Sequence, residues 1–493
     1  MGMSNKSTGA YLTVYLALVM SVLLSLCLAL IEGARSQAVM LEAECVVDIG
    51  MNSVLAEYHR ELFRQYNLFA IDSSYGTKLP CRANTASHLR EYIERNLSME
   101  DIFLSNFLYK DFLAMSLDET DGINVTKVSI MTDEQGAVFR RRAAEAMKDD
   151  VGITLLEDIR EWMETVTSEG LLERNIAEEK QEADARLQAY DGEKVQISEN
   201  EWKTIEINNP TKELEENRKK GILQLVIDNP QSLSSKGIVL DGLVSERMQK
   251  GQVNRGNVPL EELPAEEQML ERFFFQEYLL HYMGRYGQEK ESGVLSYQME
   301  YLLAGKESDT ENLKSVANSL CAIREAANAM YLFSSQEKRM EAELLATALS
   351  SLCCVPEAEP LFEIVLLLGW SSAESLYDVR MLLAGERIPL VKTDKTWHYS
   401  LEGAMGEQMY EDHNAAGSGL SYEDYLRVFM MFADEGILTG RAMNMVEADI
   451  RLTPGNEAFR LDGCYDGIEA CIKVKSAYGY QYEITRKKFY SLY

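Results

Sequence analysis

The sequence has few of the devices by which chains are recognised as catalysts. It holds only five histidines, and none belongs to an HExxH pair, which excludes a zincin-type hydrolase. A GxSxG nucleophile elbow, a P-loop and a GxGxxG turn are all missing, so the standard arrangements for acyl transfer, nucleotide hydrolysis and dinucleotide binding are missing too. There is no CxxC and no paired Cys/His spacing, which argues against a structural zinc site. Eight cysteines in 493 residues are too few to make the chain a disulfide scaffold. Basic residues are also scarce: Lys and Arg number 49 against 79 Asp and Glu, for a net charge of −30. A body so acidic repels nucleic-acid phosphates, so binding of DNA or RNA is not expected. The acidity reads as solubility, or as attraction for cations or basic partners. With so many carboxylates, paired acidic residues carry no specificity as general acids and bases.

Long apolar runs are nearly absent as well, and the one exception locates the protein. Ala10 to Ile31 (AYLTVYLALVMSVLLSLCLALI) contains no charge and is long enough to span a hydrocarbon core of about 30 Å. It exceeds the apolar region of a signal peptide, and Glu32 spoils the small-residue pattern of a cleavage site. An uncleaved anchor is expected. Lys6 precedes the run, whereas Glu32, Glu42, Glu44 and Asp48 outnumber Arg35 after it. The positive-inside rule then places residues 1–9 in the cytoplasm and the remainder outside, a single-pass plasma-membrane protein. Leu361 to Trp370 (LFEIVLLLGW) is too short to span and reads as a buried core segment.

Apolar positions recur helically beyond the run, at Val39, Ala43, Val46, Val47, Met51, Val54 and Leu62. The spacing predicts either one helix from Ala10 to about Tyr66, roughly 85 Å long, or two helices with a kink near Gly33. Residues 32–69 would form a stalk.

Further along, the pattern is α+β and mainly α-helical. Residues 70–150 open the body, 151–230 form a charged helical insert or projecting arm, and 231–493 complete the body. A strand with a slip is expected at Ile123 to Met131 and another strand at Leu295 to Leu303. Helices are expected at Ala86–Leu97, Glu100–Met115, Glu134–Met147, Ala265–Tyr286, Thr310–Leu352 (two), Glu359–Leu368, Ala373–Leu383, Tyr422–Asp434 and Gly440–Leu452. Ala458–Tyr465, Ile468–Lys475 and Tyr480–Tyr490 read as a three-stranded meander, with Asp466-Gly467 as a turn. That turn would bring Cys464 and Cys471 within reach of a disulfide. The Arg140-Arg141-Arg142 cluster reads as a solvated face. The stripe Phe273, Phe274, Phe275, Tyr278 and Tyr282 reads as core. Glu277 and His281 share a helix face, read as a hydrogen-bonded histidine. Glu411 to Asn414 lacks the alternating oxygen ligands of a calcium loop. No catalytic, cofactor-binding or metal-binding residue is assigned, and neither a cofactor nor a small-molecule ligand is expected.

The N-terminal phrases TVYLALVMSVLLSLCLALIEGAR and SQAVMLEAECVVDIGMNSVLAEYHRELFRQYNLF resemble the start of TadE- and TadG-like proteins of tad (Flp-type) pilus systems. Tyr297 to Lys306 (YQMEYLLAGK), Ser308-Asp309, Asn312-Leu313, Ile323 to Asn328 (IREAAN) and Leu420 to Leu426 (LSYEDYL) resemble a family of unknown function encoded at such loci in Gram-positive anaerobes. Val14 stands where a processed prepilin would carry Glu, so the resemblance implies an unprocessed, TadG-like anchor. The Asp72-Ser73-Ser74-Tyr75-Gly76 run lacks the last Ser of a DxSxS adhesion site, and no such site is carried over. The resemblance implies a non-enzymatic accessory or minor component of the pilus apparatus, with the bilayer and other tad components as partners. An extracytoplasmic sensor or binding protein and a tethered ectoenzyme are the alternatives. A sensor would need a membrane partner, because nine residues before the span cannot form an output domain.

Overall fold

A computed structural model describes residues 5–77, 79–97, 115–118, 122–149, 152–198, 201–207, 221–405, 419–477 and 479–490. The chain forms two compact units. Unit 1 comprises residues 1–139, 251–262 and 453–493, and unit 2 comprises residues 140–250 and 263–452.

Unit 1 is built on one long helix, α1 (Asn5–Leu55). At about 1.5 Å per residue it is roughly 75 Å long, and it passes Gly33 without a break. Chain direction changes only at Ala56 to His59, and α2 (Arg60–Tyr66) follows. The expected single helix to Tyr66 is thus two, joined well past the proposed kink. His59 is the reason: its side chain accepts the Leu62 N–H and caps α2, which starts a new helix in a new direction. From Tyr11 to Ile31 the side chains of α1 are exposed, apart from half-buried Val19. This helix is long and apolar enough to cross a membrane. From Val39 onward one face is buried.

That face lies on an antiparallel sheet of β1 (Ile71–Asp72), β2 (Met115–Leu117), β3 (Ile123–Ile130), β4 (Cys464–Ser476) and β5 (Gln481–Phe489). Central β4 pairs with all four others. The core gathers Ala43, Val46, Val47, Met51 and Val54 of α1, Leu89 and Ile93 of α3 (Arg82–Leu97), and Ile468, Ala470, Ile472 and Val474 of β4. Alternation on β4 and 3.6-residue spacing on α1 each deliver one apolar face, and the two faces meet. Gly50 lets α1 approach α3, because a Cβ there would lie 2.7 Å from Ile93 Cγ1. Helix α1 is therefore a structural member of unit 1 rather than a stalk beside it.

Two expectations for this sheet need correction. Asp466-Gly467 is not a turn. Both residues lie inside β4: Gly467 pairs with Ser129 of β3 and Phe489 of β5, and Asp466 is skipped at a register shift against β3, its carbonyl accepting the Tyr490 N–H, because that run is flanked on both sides by strands. The meander is one hairpin, β4–β5, and of the strand expected at 458–465 only Cys464 and Tyr465 are extended, as the start of β4. Cys464 and Cys471 consequently sit seven positions apart on one strand, roughly 23 Å at 3.3 Å per residue, and both are free thiols. The slip expected in Ile123 to Met131 is present, as a register shift between Val125 and Lys127.

Unit 2 is mainly helical, with one short antiparallel hairpin of Lys194–Ser198 and Glu201–Thr204; its main helices are α4 (Asp133–Met147, entering from unit 1), α5 (Ile153–Ser168), α6 (Ile176–Gln188), α7 (Ala265–Tyr282), α8 (Gln298–Ala304), α9 (Asp309–Ser334), α10 (Gln336–Leu352), α11 (Glu359–Leu383), α12 (Tyr422–Phe432) and α13 (Glu435–Arg451). Helix α11 is the axis, buried continuously from Val365 to Ser375. It is one helix where two were expected, and Leu361 to Trp370 is core as expected. Leu295 to Leu303 is not a strand: its second half is α8, and Gly305 ends that helix at φ +69°. The charged insert is not a free arm, since Ala183, Leu187 and Ile205 pack with Phe362, Leu366 and Trp370. Phe273, Phe275 and Tyr278 are core. Residues 100–114 and 411–414 lie outside the described residues.

Candidate functional site

A completely buried cluster of ionisable side chains lies inside unit 2. Glu374 and Asp378 stand one turn apart on α11 and are completely buried. Lys392, 2% exposed, ion-pairs with Glu374 and lies 2.5 Å from Asp378 Oδ1. Its Nζ lies 3.3 Å from His398 Nδ1, which is also 3.0 Å from Glu374 Oε1. Glu374 also accepts the backbone N–H groups of His398 and Tyr399, at 3.0 and 2.9 Å. From α9, Arg324 Nε donates to Asp378 Oδ2 at 3.0 Å. Its Nη1 donates to the Pro389 and Leu390 carbonyls and to the Tyr425 hydroxyl. Asn328 Nδ2 donates to Asp378 Oδ2 at 2.9 Å. Burial pushes the Asp378 pKa up, but the facing Lys392 and Arg324 outweigh it and hold the carboxyl below its ordinary range.

Glu374, Asp378 and His398 present ligand atoms within 4.8 Å of one another, a donor set that suits a divalent cation. The Lys392 ammonium touches all three. The position a metal would take is thus held by a cation of the chain itself, and two carboxylates face two cationic side chains. The arrangement ties α9, α11, α12 and the 389–399 segment together. Sequence reasoning missed it. The available signal was two acidic residues spaced i,i+4 at the end of the long apolar stretch of α11.

The phrases that carried the family resemblance supply a second, adjoining network. Gln298 Nε2 donates to Asp449 at 2.7 Å. Glu300, fully buried, accepts from the Tyr422 hydroxyl at 2.6 Å and the Tyr286 N–H at 2.9 Å. Burial drives its pKa up to about 7. Asp309 accepts the Ser296 and Tyr297 N–H groups at 2.9 and 3.0 Å. Asn312 bonds Lys306 through both backbone groups, and Ser421 with Asp424 closes a capping box on α12. These polar residues serve as joints between helices.

The other singled-out residues are placed as follows. Arg140 and Arg141 are not a solvated face: Arg140 pairs with Glu271 and Glu435, Arg141 with Glu271, and Arg142 with Glu145. Acidic α7 and α13 neighbours draw them in. Glu277 does not meet His281 but forms a two-pronged pair with Arg427 at 2.8 and 3.0 Å, while His281 is exposed and packs edge-on against Tyr282.

Unit 1 carries a cleft of about 430 Å³ at the α1–α2 break, lined by Glu57, His59, Asp72, Ser74, Tyr75 and Phe459 among others. Its polar groups are engaged locally. His59 Nδ1 accepts from Leu62 N–H, so Nε2 carries the proton and donates to Asn456 Oδ1 at 3.0 Å. Glu57 accepts from His88 and Tyr92, and Asp72 accepts from Ser74. Ser74 has a carboxylate beside it rather than a histidine base, so the cleft can hold a polar group but presents no activated nucleophile.

The fold and these networks define an α+β, mainly helical protein. Its N-terminal apolar helix runs into the core of one unit, and its second unit is pinned by buried ion pairs. A family model described as a family of unknown function, DUF5702, matches residues 200–476. The match covers more than half of the chain, and the chain belongs to that family. No curated protein and no solved structure matches it.

Proposed function

We propose that this protein is a membrane-anchored, extracytoplasmic, non-enzymatic part of a surface assembly, an accessory or minor component of a tad-like pilus or secretion apparatus. Its short N-terminus lies in the cytoplasm and its two units outside. The observation that carries this reading is α1. The same helix offers an exposed apolar span at Tyr11 to Ile31 and buries Val39, Ala43, Val46, Val47, Met51 and Val54 in unit 1. A catalytic domain needs only a tether. A helix that is both anchor and core transmits position and force from the bilayer to the folded unit, which suits an assembly part. The buried cluster of unit 2 also supports the reading, since its charges are spent on one another.

The test has two arms. Carbonate extraction and cysteine labelling from outside the cell should find the chain in the membrane with Cys81 labelled. Cross-linking in cells that assemble a tad-like pilus should join it to pilus components. A chain released by carbonate, Cys81 labelled only after lysis, or deletion without effect on pilus assembly together with no cross-link would reject the proposal.

A further inference from the structure

The β4–β5 hairpin runs beside α1 down to the end of the apolar span. On β5 the Tyr482 hydroxyl donates to the Ser36 carbonyl at 3.3 Å and lies 3.0 Å from Ser36 Oγ. Arg486 pairs with Glu44 and Asp48 at 3.3 and 3.4 Å. Lys488 Nζ donates to Asn52 Oδ1 at 2.8 Å, and the Tyr490 hydroxyl donates to the Leu55 carbonyl. Strand and helix keep step. The helix rises about 28 Å from Ser36 to Leu55, and the strand rises about 26 Å from Tyr482 to Tyr490.

The same step, continued toward the hairpin tip, fixes its level. Tyr480 lies about 7 Å below Tyr482 along the strand, which is the level of Glu32. The Tyr480 phenol is hydrogen-bonded to Glu32, and that carboxylate holds its pKa above the ordinary value. Ser36 stands about 7–8 Å past Ile31 along the axis, and the headgroup layer is itself about 5–8 Å deep on each side of a bilayer. With Ile31 at the edge of the hydrocarbon, Tyr480 falls at the inner boundary of that layer and Tyr482 at its outer boundary.

The residues of the tip suit that level. Tyrosine concentrates at both surfaces of a bilayer, where its ring meets the chains and its hydroxyl the headgroups. Helix α1 carries Tyr11 and Tyr15, 78% and 65% exposed, at the start of its span, but no aromatic residue from Leu16 to Glu57. The helix supplies no aromatic anchor to the far surface, and Tyr480 and Tyr482 stand at the height where one belongs. Tyr480 is exposed, and so are Lys475, Ala477 and Gln481 around it. A lysine stem can lie along lipid while its ammonium meets a phosphate. Glu483, the one acid of β5, stands opposite Lys473, and Glu32 pairs with Arg35 at 2.5 Å, so the acidity of the whole chain does not extend to the tip.

We infer that the tip of the β4–β5 hairpin is a second membrane contact, seated in the headgroup layer of the bilayer that α1 crosses, with Tyr480 and Tyr482 as its interfacial rings and Lys475 on a phospholipid phosphate. Unit 1 is then held at two points, which fixes its rotation about α1 as well as its distance from the surface. The inference rests on the anchor reading above.

The experiment uses the full chain in nanodiscs of phosphatidylcholine with about a quarter phosphatidylglycerol. Cys27, Cys45, Cys81, Cys353, Cys354 and Cys471 are changed to serine, and an environment-sensitive fluorophore is attached to a single cysteine at Leu24, Ala477 or Thr485, all exposed positions. Lipid with a nitroxide on its headgroup should quench the Ala477 label about twofold, because the two share one layer. It should leave the Thr485 label, about 16 Å beyond Tyr480, unchanged. A nitroxide deep in the acyl chain should quench Leu24 and neither of the others. Tyr480→Asp with Tyr482→Asp should restore the Ala477 emission, and Tyr480→Trp with Tyr482→Trp should keep it quenched. An Ala477 label no more quenched than Thr485, while Leu24 is quenched, overturns the contact and leaves the anchor intact. The same outcome with a cross-link from position 477 to another protein in cell membranes gives the tip to that protein and overturns the contact as well. Quenching that survives the Asp pair overturns the role of the two tyrosines. A Leu24 label that no lipid nitroxide quenches overturns contact and anchor together.

Discussion

Lys392→Met tests whether the unit 2 cluster is a closed ion-pair clasp. The substitution keeps an unbranched apolar stem and removes the ammonium. Glu374 and Asp378, both completely buried, are then left with one permanent cation, Arg324, which pairs with Asp378 and not with Glu374. Leaving one buried charge uncompensated costs about 3–5 kcal/mol, against less than about 1 kcal/mol for an exposed pair. At about 2–4 °C per kcal/mol for a unit of this size, the midpoint should fall by roughly 6–20 °C. Tryptophan fluorescence reads this unit alone, because Trp162, Trp202, Trp370 and Trp397 all lie in it. Trp397 sits beside the site, with the Lys392 ammonium 5.6 Å from its ring centre. Urea unfolding of the detergent-solubilised chain gives the stability. Adding Glu374→Gln to Lys392→Met should recover part of the loss, because both members of the pair are then neutral, and the cycle should return a coupling of about 2 kcal/mol or more. A single variant that loses less than about 1 kcal/mol, or strictly additive effects, would refute the clasp.

Other predictions concern separate parts of the molecule. Burial raises the Glu300 pKa from 4.5 to about 7, so the native state holds this proton more tightly than the unfolded chain. The contribution is full below pH 4.5 and is lost as pH rises to 7, about 3 kcal/mol in all. Glu300→Gln should remove this slope from urea titrations at pH 4.5–8 and leave the variant the more stable at pH 8. A chain starting at residue 32 should fold in unit 1, whereas one starting at residue 57 should not: the latter loses Val46, Val47, Met51 and Val54, each worth about 1.5–3 kcal/mol. Hydrogen exchange in β4 reads the difference. Alkylation without reductant should modify Cys464 and Cys471 in the unfolded chain as completely as alkylation after reduction, with no disulfide-linked peptide by mass spectrometry.

Elements with a clean local period were legible in the sequence. The apolar run, the helical spacing from Val39 to Val54, the aromatic stripe of α7 and the slipped strand β3 all follow from patterning. Errors arose where long-range pairing overrode local chemistry. Asp466-Gly467 is a strong turn signal, but β3 and β5 on its two sides keep it extended. Leu295 to Leu303 alternates like a strand, yet Gln298 and Glu300 find partners on α13 and α12 that only a helix can present together. The clasp was invisible for a similar reason: Arg324, Glu374, Asp378, Lys392 and His398 are brought together by packing of α9 and the 389–399 segment on α11, not by any spacing a motif records. The family phrases were recognisable without their meaning, which is to satisfy buried polar groups between helices.

The central claim is that anchor and core are one rigid helix. Spin labels placed singly from Leu28 to Glu44, in the full chain reconstituted in nanodiscs with its other exposed cysteines replaced, test it most directly. Oxygen accessibility should be high on all faces up to Ile31, after which label mobility should oscillate with a period of 3.6 residues and reach minima at Val39 and Ala43. Uniformly fast motion across Gly33 to Ser36, with no helical period beyond them, would mean a loose tether and would contradict the account.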